Sequence, residues 1–245
     1  MAINKDSNGF TFGFAIVMVV VVGAVLAAAA ISLKPYQDEN KRQEKMKDIM
    51  RSAGAMNEDD DMANAPLLFE QYVKEQIVLN SMGEPIESDV EAFKIDTKKE
   101  YKEVKARART AEERSYPLFI CEIEAEKFYV VPVNGTGLWG PIWGYVAFKS
   151  DMNTIYGAIF DHQAETPGLG AEISQAFFQT PFEGMTIFDE NDEFVSIRVL
   201  KGGGGNDNPH AVDGITGGTI TSVGVDKMLI ETLKVYVPYF KMKKA

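Results

Sequence analysis

"LFICEIEAEKFYVVPV", residues 118–133, alternates apolar and polar side chains in two short runs around the stretch Ala125–Lys127. A period of two sends successive side chains to opposite faces, so the spacing predicts two strands joined by a tight turn. Downstream, "IWGYVAF" (142–148) and "TIYGAIF" (154–160) look like the arms of a hairpin around "KSDMN". "EFVSIRVL" (193–200) reads as another strand, "AEISQAFFQ" (171–179) as a short helix and "KGGGGNDNP" (201–209) as a loop. "SVGVDKMLIETLKVYVPYF" (222–240) reads as a helix with Ser222 as N-cap and Pro238 bending or ending it. Strand pairs followed by helices predict an α+β fold of antiparallel strands with flanking helices.

Upstream of this region the reading changes. "FGFAIVMVVVVGAVLAAAAISL", Phe12 to Leu33, holds no charge over 22 residues, and about 20 apolar residues suffice for a helix to cross a bilayer core. A cleaved signal normally carries a shorter apolar run, so the expectation is a retained transmembrane helix at 12–33 behind a short tail, 1–11. Residues 36–56 read as a charged helix with Met46, Ile49, Met50 and Ala53 on one stripe and Gly54 as its C-terminal cap. With the polar run from Asn57 they form a charged helix and linker over 34–60, and the folded domain is expected at 61–245. Within it, "PLLFEQYVKEQIVLNSMG" (66–83) reads as a helix closed by Gly83, and 84–116 as a charged surface excursion. Six lysines and arginines follow the span within 18 residues, whereas Lys5 alone precedes it. By charge alone, the following segment leans toward the cytoplasm.

Composition removes several functions. A net charge of -11 argues against an electrostatic grip on nucleic acid. Cys121 is the only cysteine, so an intramolecular disulfide, a four-cysteine iron–sulfur cluster and a CxxCH haem site are all excluded within the chain. Two histidines without HExxH give no support to a zinc hydrolase, and no metal site is expected.

Three stretches could carry chemistry. "GTGLWG" (135–140) has GxGxxG spacing, but Pro141 and a strand-like run follow where a dinucleotide fold needs a helix. Its glycines make a tight loop, with Trp139 either packed beneath it or offering an apolar face to a flat ligand. "HQAETPGLGAEI" (162–173) bends at Pro167, Gly168 and Gly170 and carries Glu165 and Thr166; it is a capped loop or a place where a ring lies close to main chain. "DGITGGTITS" (213–222) sets four hydroxyls between Thr216 and Ser222 on a glycine-rich backbone ahead of the last helix. Those hydroxyls could cap the helix, bind a phosphate at its positive end, or accept a phosphoryl group covalently.

Together the three stretches resemble the signatures of covalent FMN-binding domains, in which Asp-x-x-Ser/Thr-Gly-Ala-Thr carries FMN through a phosphoester on its last threonine. With the N-terminal span, nearly the whole chain resembles the C subunit of the sodium-translocating NADH:quinone oxidoreductases. The G subunit of the related Rnf ferredoxin:NAD complexes shares motif and anchor but lacks so long a segment at 57–116. A membrane-anchored binding protein without redox function, and a standalone flavin reductase, are the readings from other classes.

The resemblance implies an FMN-binding domain in which Thr219 holds the flavin. Asp213, Thr216 and Gly217 would be read by a flavin transferase, with Gly218 and Ser222 completing the stretch. Thr166 and Leu169 would lie against the isoalloxazine, and Glu165, Gly168 and Gly170 would shape their loop. Trp139 is added as a wall residue. Gly218 departs from the alanine usual in the pattern. The implied role is an electron relay with no catalytic acid–base pair and no NADH turnover by the isolated protein. Its partners would be the other subunits of the complex, the transferase and membrane lipid. In the family the flavin domain of this inner-membrane protein faces the periplasm, against the charge count.

Overall fold

The computed structural model describes residues 8–205 and 207–244. Met1–Ser7 of the expected tail, with Lys5, lie outside the described residues, as do Asn206 of the glycine loop and Ala245. By compactness the chain divides into two units, Met1–Lys45 and Met46–Ala245.

Helix α1 (Asn8–Ser52) is continuous through both the apolar and the charged stretch, with Pro35 inside it. Every residue from Thr11 to Leu33 is exposed, as expected of side chains that face lipid rather than a protein core. It is the one helix among the described residues long and apolar enough to cross a membrane. In the second unit, the expected stripe is buried: Met46, Ile49, Met50 and Ala53 all enter a core. The helix stops through a paired C-cap in which Ala55 N–H donates to Met50 O and Gly54 N–H to Arg51 O. Gly54 adopts φ +78° there, the left-handed geometry glycine permits.

Helix α2 covers only Ala65–Tyr72. The helix expected through Gly83 instead turns into strand β1 (Val73–Leu79), which pairs with β2 (Pro85–Ile86) and β3 (Tyr116–Ile123). Val73, Ile77 and Val78 are β-branched, and pairing Ile77 with Leu118 and Leu79 with Tyr116 outweighs the helical spacing of Leu68, Phe69 and Tyr72. The charged excursion contains β2 and helix α3 (Thr97–Lys105), capped by the Asp96 side chain.

The hairpins follow the sequence reading. β3 pairs antiparallel with β4 (Glu126–Thr136) through a turn at Glu124 and Ala125, both with positive φ. β4 pairs with β5 (Pro141–Phe148), and β5 with β6 (Ile155–His162), completing a six-stranded antiparallel sheet ordered β2-β1-β3-β4-β5-β6. The alternation divides its side chains between two cores. Leu118, Val131, Val133, Val146 and Phe148 face one; Phe119, Cys121, Val130, Tyr145 and Ala147 face the other, with Met50 and Phe69. Cys121 is fully buried there, and desolvation pushes its thiol pKa up to about 12.

After β6 the stretch 171–179 is a 3-10 turn over Gly170–Ser174 followed by helix α4 (Ala176–Gln179), rather than one helix. The strand expected at 193–200 shortens to β7 (Arg198–Leu200), which pairs in parallel with β8 (Ala211–Asp213). Helix α5 (Thr219–Lys244) lies on the first core. It runs through Pro238 instead of ending there. A proline inside a helix costs ~3 kcal/mol, which burial of Tyr236, Tyr239 and Phe240 around it offsets.

Candidate functional site

The three sequence stretches meet at one carboxylate. Glu165 is 5% exposed, a position a charged group holds only when its oxygens are fully partnered. Its Oε2 accepts from the Thr221 hydroxyl at 2.5 Å, and its Oε1 from the Trp139 amide at 2.8 Å. Burial pushes this carboxyl up, but donation from Thr221 and from the amides of Trp139, Leu138 and Gly140 outweighs it and holds the pKa below the usual 4.5. One ionised side chain thus joins the β4–β5 turn, the loop after β6 and the first turn of α5. Gly170 makes this possible, since a Cβ there would fall 2.5 Å from Glu165 Oε2.

The loop from His162 to Gly170 closes on itself. Glu165 N–H donates to His162 Nδ1 at 3.2 Å, so this ring nitrogen accepts. Leu169 and Ala171 both donate to Thr166 O. Gly168, at φ +76°, donates its N–H to Glu172 Oε1 at 2.8 Å. Thr166 and Leu169 are left exposed, and the Leu169 backbone approaches Gly218. An alanine Cβ at 218 would meet Leu169 C and O at 3.1 Å and Ile215 Cγ2 at 3.0 Å. The glycine that departs from the family pattern therefore accompanies a close approach of the two loops.

The stretch 213–222 wraps the start of α5. Asp213 Oδ1 accepts from Gly205 N–H at 2.8 Å and ties the glycine loop to the end of β8. Thr216 and Gly217 form an exposed turn, and Gly218 N–H donates to Ile215 O. Ser222 is not the N-cap. The helix begins at Thr219, and Ser222 lies inside its first turn, accepting from Ile215 N–H at 2.9 Å and donating to Gly218 O at 3.0 Å. Burial of its hydroxyl made a bond to the adjoining loop available that local sequence does not disclose. The first i→i−4 bond of α5 runs from Ser222 N–H to Gly218 O at 2.9 Å. The amides of residues 219–221 precede it and have no acceptor within the helix.

The four hydroxyls differ in environment. Thr221 and Ser222 are buried and bonded. Thr216 is exposed on the turn, whereas Thr219 is half-buried at the helix start, and neither hydroxyl is bonded among the described residues. Beside Thr216 lies a cavity of about 580 Å³, lined also by Gly168, Glu172, Phe177, Pro181 and Asp213. That volume falls in the usual range for small-molecule sites.

Trp139 departs from one of its two expectations. Its indole is 66% exposed rather than packed beneath the loop, and it does not line this cavity. Its backbone amide is held by Glu165. Thr221, Glu172 and Phe177 were not singled out from sequence. Thr221 stood within the hydroxyl run, but a buried partner 56 residues away leaves no local trace. The pair Phe177–Phe178 signals a core helix without telling which ring is left outside.

Gly224 brings α5 against β4, because a Cβ there would fall 2.5 Å from Thr136 O. Gly224→Ala is expected to force the helix start off the strand, at a cost of about 1–3 kcal/mol. A thermal melt checks this: the midpoint falls by several degrees, at ~2–4 °C per kcal/mol for this size.

Comparison with known proteins agrees with this geometry. A family model described as an FMN-binding domain matches residues 137–234, which contain all but the first two residues of the three stretches. The chain is 34% identical to the C subunit of the Na(+)-translocating NADH-quinone reductase of Haemophilus ducreyi, over 91% of this chain and 88% of that one. It is 30% identical to the C subunit of the same reductase in Neisseria meningitidis serogroup B, over 99% and 97%. The crystal structure of the C subunit from Parabacteroides distasonis superposes with a TM-score of 0.73 at 41% identity, covering 85% of this chain and 96% of that one. NqrC of Shewanella oneidensis shares the fold, with a TM-score of 0.66 at 23% identity. The chain belongs to the family formed by the C subunits of the Na(+)-translocating NADH-quinone reductases.

Proposed function

We propose that this chain is the electron-relay subunit of a membrane-bound, sodium-translocating NADH:quinone oxidoreductase and carries FMN covalently on Thr219. The observation that carries the reading is the unbonded Thr219 hydroxyl, first residue of a 26-residue helix whose preceding turn, through Ile215 and Thr216, lines a cavity of ligand size. Three amides without helical acceptors and the positive end of the helix favour a phosphate there. Thr219 loses its hydroxyl proton and its oxygen bonds to the phosphorus of an activated flavin nucleotide, displacing that donor's leaving group. The flavin, once bound, supplies reversible electron transfer. The chain's own residues supply position and electrostatics.

Asp213 shapes the strand end from which the acceptor stretch departs, and Thr216 and Gly217 expose the turn that a flavin transferase would read. Thr166 and Leu169 present an exposed loop to the ring, and Glu165, Gly168 and Gly170 hold that loop in place. NADH oxidation and quinone reduction belong, in this reading, to the other subunits. The apolar half of α1 anchors the chain as a single span in lipid, with the flavin-carrying body on the periplasmic side. Long domains are translocated regardless of flanking charge, which is why the lysines after the span do not decide the orientation.

Co-expression with a flavin transferase and tryptic mapping tests the attachment. The peptide containing Thr219 is expected to gain the mass of FMN less one water. A bare peptide, with flavin elsewhere or absent, contradicts the proposal.

A further inference from the structure

Phe177 is 63% exposed on a turn that is otherwise anchored. Its neighbour Phe178 packs edge-on against Phe160 and Phe182, at centroid distances of 5.9 and 5.6 Å. Gln179 Nε2 donates to Phe160 O at 3.0 Å and Ile173 O at 3.2 Å. The backbone carrying Phe177 is therefore held from below while its ring stays free. That ring lines the 580 Å³ cavity together with Gly168 and Thr216. It also lines a second, apolar cavity of about 400 Å³ with Met185, Ala211 and Val212. Phe177 and Pro181 line both.

We propose that Phe177 is a stacking platform that positions the isoalloxazine in the cavity beside Thr216. The proposal rests on the flavin reading given above. An exposed phenyl gains by being covered, and offset stacking of aromatic faces adds to that gain. Little conformational freedom is lost, because the turn is already fixed. Across the same cavity, Gly168 has nothing within 4 Å of where a Cβ would be, which leaves room for a ring system. Without the Phe177 ring both cavities lose a shared apolar wall, and a tethered flavin is held less closely.

The test uses the full chain in detergent, co-expressed with a flavin transferase, with the covalent flavin as probe. In Phe177→Ala, collisional quenching of flavin emission by iodide is expected to rise roughly two- to tenfold, the range that one aromatic contact supports. In Phe177→Trp, an indole against the ring is expected to quench emission several-fold. Melting curves matching the parent's show that both variants fold, as substitution at an exposed side chain implies. If mass places flavin on Thr219 in all three proteins while both fluorescence readouts match the parent, the platform is wrong and the attachment stands. If the parent carries no flavin on Thr219, the attachment fails and the platform with it.

Discussion

Thr219→Ala is expected to leave a folded chain with no covalent flavin at all. The hydroxyl makes no hydrogen bond among the described residues, so its removal leaves no partner unsatisfied. Alanine is also the better residue inside a helix. A melting temperature within about 2 °C of the parent is expected, since the change strands no partner and creates no core cavity, and such changes usually stay within ~0.5 kcal/mol. Loss of the flavin should nevertheless be complete, because the neighbouring hydroxyls cannot substitute. Thr221 is engaged by Glu165, Ser222 is bonded on both sides, and Thr216 lies on the turn before the helix amides. Thr219→Ser keeps the nucleophilic oxygen at the same position and should retain the modification. Fluorescence of the denatured band on a gel, with intact mass, reads all three proteins. Persistent flavin in the alanine variant, on whatever residue, removes Thr219 from its assigned role.

Glu165→Ala should cost the most stability of any change at the site. It leaves the Thr221 hydroxyl and the amide of Trp139 without their buried acceptor. Each stranded donor costs about 1–3 kcal/mol, and a total of roughly 2–6 kcal/mol lowers the melting temperature by about 4–24 °C at this chain length. Glu165→Gln preserves volume but turns one acceptor into a donor facing other donors, and should fall between the parent and the alanine variant.

The same carboxylate makes stability depend on pH. Its folded pKa is lowered from 4.5, burial being outweighed by the donors around it. Its contribution is therefore complete above the unfolded value of 4.5 and is lost as pH falls through the folded value. Melting curves from neutral pH down to the acid limit should show a shallower decline in Glu165→Gln than in the parent. Parallel curves would mean that the carboxylate is not held ionised by this network.

The hairpins and the long apolar helix were legible because each is written in a local period. Alternation in 118–133 and in the runs on either side of Lys149 records which face each side chain presents, and β3 to β6 follow it. A charge-free run of 22 residues states its own solvent. The segment after Tyr72 was not legible, since its strand exists by pairing Val78 with Pro117, some forty positions on. The N-cap assigned to Ser222 failed for a related reason. A serine before an apolar helix looks like a cap, but here Ile215 offers its amide from the preceding loop and the helix has already begun.

The sequence alone determined the α+β class, the long apolar helix, and the three hydroxyl-rich and glycine-rich stretches on which the family resemblance rests. Read locally, the residues left four hydroxyls nearly equivalent, with Thr219 set apart only by the motif's resemblance, and gave Glu165 no partner. Tertiary structure separated them by burial and by partner. One carboxylate collects donors from distant segments, two hydroxyls are used up in bonds, and of the two left unbonded, Thr216 lies on the turn and Thr219 at the helix terminus. Periodicity reports how a residue meets its near neighbours. Which hydroxyls are taken up is decided by contacts across tens of residues, which only the folded chain brings together.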